Sequence, residues 1–145
     1  MTSILEIKDL QQLAKSRLPK LFYDYIDSGS WTEGTYRANE SDFQKINLRQ
    51  RVAVDMTDRS LASTMVNQPV SMPIALAPTG LTGMFRANGE MLAAQAAEQM
   101  GVPFTLSTMS ICSIEDVASV TRKPFWFQLY VMKDRDFMKS LIEGA

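Results

Sequence analysis

The chain has 145 residues, and its 15 basic side chains against 16 acidic ones give no positive field for nucleic acid. One cysteine excludes an internal disulfide framework, no apolar run is long enough to span a bilayer, and residues 1–8 lack the basic start and long apolar stretch of a secretory signal. With 46% hydrophobic and 21% charged residues, the composition is that of a soluble globular protein, expected in the cytoplasm, with peripheral attachment at the inner face of the cell membrane left open. No metal-ligand set is expected.

Ile7, Leu10, Leu13 and Ala14 share one helical face, and Pro19 either ends that helix or opens the next. Leu21, Phe22, Tyr25 and Ile26 continue as a second short amphipathic segment, stopped by Ser28-Gly29-Ser30. The polar stretch 32–44 is compatible with a helix. Residues 48–54 and 61–70, the latter with a turn at Asn67-Gln68, read as extended elements covering the floor of a barrel built by the later residues.

From residue 73 a strand–loop–helix pattern repeats. Pro73-Ile74-Ala75-Leu76-Ala77 is a short apolar strand, succeeded by Pro78-Thr79-Gly80 and a helix over 89–100 that Gly101 stops. The second strand is Pro103-Phe104-Thr105-Leu106-Ser107; after a loop, Ser113 with Asp116 three residues on has the pattern of a capping box ahead of Val117, Ala118 and Val120. The third strand, Phe125-Trp126-Phe127-Gln128-Leu129-Tyr130, gives way to a charged helix start at 133–136 with Phe137, Met138, Leu141 and Ile142 at helical spacing. Three such units imply an α/β fold with a parallel sheet and helical crossovers. A closed eight-stranded barrel takes about 250 residues. The chain is therefore expected to be the N-terminal portion of a TIM (β/α)8 barrel, with residues 1–72 a helical and extended covering segment and 73–145 the first three β/α units.

A strand buried on both faces should be nearly continuous in apolar residues, so Gln128 and Tyr130 at the end of an aromatic run point to a ligand at the C-terminal end of the sheet, where barrel enzymes keep their chemistry. Five separated strings then carry a resemblance: Leu18-Pro19-Lys20-Leu21-Phe22-Tyr23-Asp24-Tyr25, Ser71 through Gly80, Leu106-Ser107-Thr108, Ser113-Ile114-Glu115-Asp116 and Trp126-Phe127-Gln128-Leu129-Tyr130. Together they resemble the FMN-dependent α-hydroxy acid dehydrogenase/oxidase family. Within it, residues 104–112 are most similar to the bacterial L-lactate dehydrogenases.

The resemblance implies FMN as cofactor and a small 2-hydroxy acid as substrate, with L-lactate favoured over glycolate, mandelate and longer acids. It places the backbone of Ala77, Pro78, Thr79 and Gly80 against the flavin ring, where a missing Cβ at Gly80 permits close approach; taken alone, without the other motifs, the segment reads as an ordinary strand-end turn. Ser107 and Gln128 are expected to hydrogen-bond the polar edges of the ring, since a neutral hydroxyl and amide donate or accept. Tyr25 is expected at the substrate carboxylate and Tyr130 near the reacting hydroxyl, each a neutral phenolic donor. Tyr23 competes with Tyr25 for that assignment, and both tyrosines could simply be packing residues. Met109 matches a position beside the substrate where some members carry tryptophan. Cys112 reads as a small, partly buried loop residue.

Oxidation of a 2-hydroxy acid needs a base near its working pKa, and the chain has no histidine. The family's histidine base, its carboxylate-clamping arginine and its flavin-side lysine belong to later strands, so no catalytic residue is assigned here and this stretch alone is expected to be inactive. The resemblance also implies a homo-oligomer and leaves the electron acceptor open among quinone, cytochrome and oxygen. Two alternatives stand beside this reading: a shortened, non-catalytic product that binds flavin or a complementing chain, and a different FMN-dependent barrel enzyme.

Overall fold

Pro19 both ends one helix and begins another in the computed structural model, which describes residues 4–144. The first three residues and Ala145, at the outer ends of the expected spans 1–72 and 73–145, lie outside it. Helix α1 (Ile7–Arg17) closes with the Leu18 N–H on the Ala14 carbonyl at 2.9 Å. Pro19, which has no N–H to leave unpaired, then starts α2 (Lys20–Ile26). The polar stretch beyond forms α3 (Gly34–Ser41) and a 3-10 turn at Asp42–Lys45, as its composition allowed.

Asp27, just past α2, ties these helices together. Its carboxylate accepts hydrogen bonds from the Gln11 amide of α1, the Tyr23 hydroxyl of α2 and the Tyr36 hydroxyl of α3. The Tyr23 bond, and after it that from Gln11, holds the carboxyl below the usual carboxylate range against the opposing effect of burial. The intended face of α1 is only half covered: Leu13 and Ala14 are partly buried, whereas Ile7 and Leu10 are exposed.

Packing divides the chain into two units, 1–58 and 59–145. The second begins before the 72/73 boundary drawn from the start of the repeat, because a hairpin precedes the repeat and hydrogen-bonds into it. Strands β1 (Ser63–Met65) and β2 (Gln68–Val70) pair antiparallel, and the Ser71 N–H reaches the Gly101 carbonyl at 2.9 Å. The hairpin turns on Val66 and Asn67, both with positive φ (47° and 59°), one residue earlier than the expected Asn67-Gln68. Residues 48–54 form no strand: Leu48 and Val52 are exposed, and apolar content without a pairing partner does not make a ladder.

The repeat itself is present with shortened strands. The run 73–77 narrows to a single parallel bridge between Leu76 and Phe104. Helix α4 (Thr82–Phe85), which the sequence did not announce, precedes α5 (Gly89–Met100), closed by Gly101 at φ 68°. Strand β3 (Thr105–Ser107) leads to α6 (Ile114–Val120), where the expected capping box forms: the Asp116 N–H reaches Ser113 Oγ at 3.0 Å and the Ser113 N–H reaches Asp116 Oδ2 at 2.9 Å. Strand β4 (Trp126–Gln128) lies parallel to β3 and leads to α7 (Arg135–Gly144), whose first turn donates to Asp134. Contrary to the expectation of a strand buried on both faces, β4 is half-buried throughout, with no further strand beside it among the described residues. The core lies between these strands and α5 and α6, where Phe104 and Leu106 meet Ala94, Ala97 and Val117.

Val66→Gly should stabilise the second unit by about 1 kcal/mol in thermal or urea unfolding, because a β-branched residue in the left-handed region pays a steric penalty that glycine does not. Asp27 has a folded pKa below its unfolded value, so its stabilising contribution is complete above about pH 4 and fades as pH falls through the folded pKa. Asp27→Asn should therefore lower stability at pH 7 and flatten its acid dependence; an unchanged acid limb, monitored by helical circular dichroism, would contradict the role given to Asp27.

Candidate active site

Side-chain alternation along β3 decides what the strand ends present. Phe104 and Leu106 face the helices, with Phe125 and Phe127 on the same side of β4, so Ser107 and Gln128, paired in register, lie on the opposite face. Ser107 is 4% exposed. Its hydroxyl accepts the Met109 N–H at 3.1 Å and donates to Gln128 Oε1 at 3.3 Å. The Gln128 side-chain N–H groups meet no partner among the described residues.

The loop after the first strand presses on the loop after the second. Leu81 N–H donates to the Met109 carbonyl at 2.9 Å. A Cβ added at Gly80 would sit 3.3 Å from Met109 Cβ and 3.9 Å from Ser107 Oγ. Ala77, Pro78 and Thr79 are exposed, and Met109 is half-exposed. Behind this rim lies a cavity of about 250 Å³, lined among others by Ala77, Thr79, Leu106, Ser107 and Glu90. A second cavity of about 190 Å³, lined by Val70, Ala97, Val102, Phe104, Pro124 and Phe125, includes none of the expected site residues.

Thr108, to which the sequence assigned no role, fixes the next strand end. Its N–H donates to the Gln128 carbonyl at 3.0 Å, its hydroxyl donates to the same carbonyl, and its Oγ1 accepts the Tyr130 N–H at 3.0 Å. The Tyr130 backbone is thereby held at the same end as Gln128, and the residue is 54% exposed. A run of polar residues at a strand end was the available signal for Thr108. Tyr25 belongs to the other unit and is 61% exposed, whereas Tyr23 is 7% exposed with its hydroxyl engaged by Asp27.

Two buried ionisable groups stand behind the strand ends. Burial, and after it the nearby Glu90 carboxylate, pushes the Cys112 thiol up, so it stays protonated and is no nucleophile. Burial would also raise Glu90, but backbone N–H groups of Ile111, Glu90 itself and Gly83 outweigh it and hold the carboxyl below its usual range. An ionised carboxylate of that kind is a poor base at neutral pH. The surface formed by 77–80, Ser107, Met109, Gln128 and Tyr130 is thus neutral: it can orient a polar, planar ligand and hydrogen-bond a substrate, but it brings no proton acceptor of its own.

Known proteins resemble this chain in both sequence and fold. Residues 14–145 match the family described as FMN-dependent dehydrogenase. The chain is 52% identical over 94% of its length to L-lactate dehydrogenases of Vibrio parahaemolyticus and Xanthobacter autotrophicus, covering 36% and 35% of those proteins. It thus spans about a third of the length of the curated relatives it matches. Among solved structures it superimposes with a TM-score of 0.91, at 35% identity, on a monotopic membrane protein, (S)-mandelate dehydrogenase, over 99% of this chain and 38% of that one.

Thr108→Val keeps the shape and removes both side-chain bonds. It should cost about 0.5–1.5 kcal/mol per lost bond, and amide exchange at Tyr130 should accelerate. Exchange at Tyr130 as slow as in the parent protein would remove Thr108 from this role.

Proposed function

This chain belongs to the FMN-dependent dehydrogenase family, and from that premise we propose that it forms the N-terminal part of an enzyme that oxidises an L-2-hydroxy acid, above all L-lactate to pyruvate. The observation that carries the reading is the neutral cluster at one end of the parallel strands, where Gly80, Ser107, Met109 and Gln128 lie on mutually bonded segments.

These residues fit FMN. Ala77, Pro78 and Thr79 are exposed, and glycine at position 80 leaves clear the space a Cβ would take against Met109. Ser107 and Gln128 offer a hydroxyl and an amide suited to a ring edge that both donates and accepts. When bound, FMN supplies the acceptor for the electrons and hydrogen leaving the substrate's α-carbon. Ala77, Pro78, Thr79 and Gly80 would lie along the ring, with Ser107 and Gln128 fixing its orientation. Tyr25 would donate to the substrate carboxylate and Tyr130 to the reacting oxygen, stabilising charge there without carrying any. Met109 would border the substrate's side chain. With no histidine in this chain, the proton acceptor and the cationic clamp are proposed to come from the remainder of the enzyme.

Lactate is preferred over mandelate because the lactate dehydrogenases are the nearer relatives in sequence, 52% against 35% for the mandelate dehydrogenase structure. The latter likeness supports a second reading in which (S)-mandelate is accepted, since an unbranched, half-exposed Met109 can move aside for a larger substituent. Among the described residues no helix is long and apolar enough to cross a membrane. Peripheral association fits that observation and the monotopic neighbour alike.

Turnover of L-lactate against (S)-mandelate by the FMN-loaded enzyme decides the substrate, and two variants separate the roles. Gln128→Ala should release FMN more readily. Tyr25→Phe should keep FMN and lose about 1.5–3 kcal/mol in kcat/KM through one missing bond to a carboxylate. Loss of flavin from Tyr25→Phe, with unchanged kinetics per bound FMN, would show that the assignment is wrong.

A further inference from the structure

Glu90 is 2% exposed in the first turn of α5, yet its carboxylate bonds outside that helix. Its Oε1 accepts the Gly83 N–H and the Ile111 N–H, each at 3.0 Å. Gly83 belongs to α4, directly after the loop that carries Gly80; Ile111 lies two residues past Met109 in the loop after β3. One oxygen atom therefore joins the two loops of the site, alongside the Leu81 to Met109 bond. The contact is close. A Cβ at Gly83 would fall 2.7 Å from Ile111 Cβ and 3.2 Å from Glu90 Oε2, so only glycine lets the two segments approach to this distance.

We propose that Glu90 is a positioning residue that fixes the spacing between the Gly80 loop and the Met109 loop, and through it the size of the α-substituent the site accepts. The inference rests on the proposed function, in which Gly80 lies at the flavin and Met109 at the substrate. The geometry asks for reach rather than charge. Oε1 makes both loop bonds, while Oε2 accepts no hydrogen bond from the surrounding segments. A glutamine carbonyl can take the place of Oε1. An aspartate carries the charge one methylene short of the two N–H groups.

The test uses the complete FMN-loaded enzyme, this chain together with the remainder that supplies the proton acceptor, and the ratio of kcat/KM for L-lactate to that for a bulkier 2-hydroxy acid, 2-hydroxybutyrate, with flavin absorbance and amide exchange at Gly83 and Ile111 measured in parallel. Glu90→Gln should keep the ratio within about twofold of the parent and both amides protected, whereas Glu90→Asp should shift the ratio about tenfold, the scale of discrimination at a side-chain pocket, and expose both amides. The inference is overturned if Glu90→Gln shifts the ratio as far as Glu90→Asp, or if Glu90→Asp retains flavin with an unchanged ratio. Should Glu90→Asp fail to fold, fast exchange at Gly83 and Ile111 in the parent protein, or a shifted ratio in Glu90→Gln, overturns it, while slow exchange with a preserved ratio supports it. A complete parent enzyme, with the remainder that supplies the proton acceptor, that neither holds FMN nor oxidises either acid defeats the functional reading itself and this inference with it, a result distinct from a failure of Glu90 alone.

Discussion

Phe104 and Leu106 cannot pack against α5 and α6 without turning Ser107 to the other face of the strand, and every feature of the candidate site depends on that alternation. Leu106 and Val117 are fully buried. Burying a large aliphatic side chain contributes about 1.5–3 kcal/mol, so a one-residue slip of β3 would move that contribution to the wrong side along with the hydroxyl. Parallel register extends the same choice to β4: Phe127 joins the core beside Leu106, and Gln128 joins Ser107. Packing thus selects which polar groups the strand ends present.

The polar groups so selected are uncharged, and the ionised one is kept behind them. Ser107, Thr108, Gln128 and Tyr130 form a set of neutral donors and acceptors, while Glu90 is enclosed with one of its oxygens held by two loop N–H groups. A free carboxylate at the strand ends would make that surface repel anions. Placed at the start of α5, its charge instead meets the positive end of the helix and the loop amides.

Local signals in the sequence survived folding best. The helix at 89–100, its stop at Gly101 and the Ser113–Asp116 box depend on neighbours within a few residues and appear as read. Strand extent depends on partners elsewhere, so 73–77 shrank to one bridge and 48–54 to irregular chain, although both are rich in apolar residues. The repeat and the placement of Ser107 and Gln128 at strand ends were legible because alternation and position along the strand are sequence properties. Tyr23 and Tyr25 were indistinguishable by type and separated by burial and the Asp27 bond. Thr108 and Glu90 were missed for a common reason: a threonine beside a serine and an acid in a helix's first turn both have ordinary local explanations, and the bonds that matter reach other segments, 22 residues away for Thr108 and 7 and 21 for Glu90.

Cys112 sits at the join between the two loops, 8% exposed and with its thiol pushed toward the protonated form. A thiol reacts as the thiolate and only when a reagent can reach it. While the loops are closed, this sulfur is therefore protected from alkylation and oxidation, and modification must wait for a local opening. The single cysteine of the chain thus acts as a clock on the loops: its labelling rate counts how often they part, and a ligand that clamps them together should slow that count.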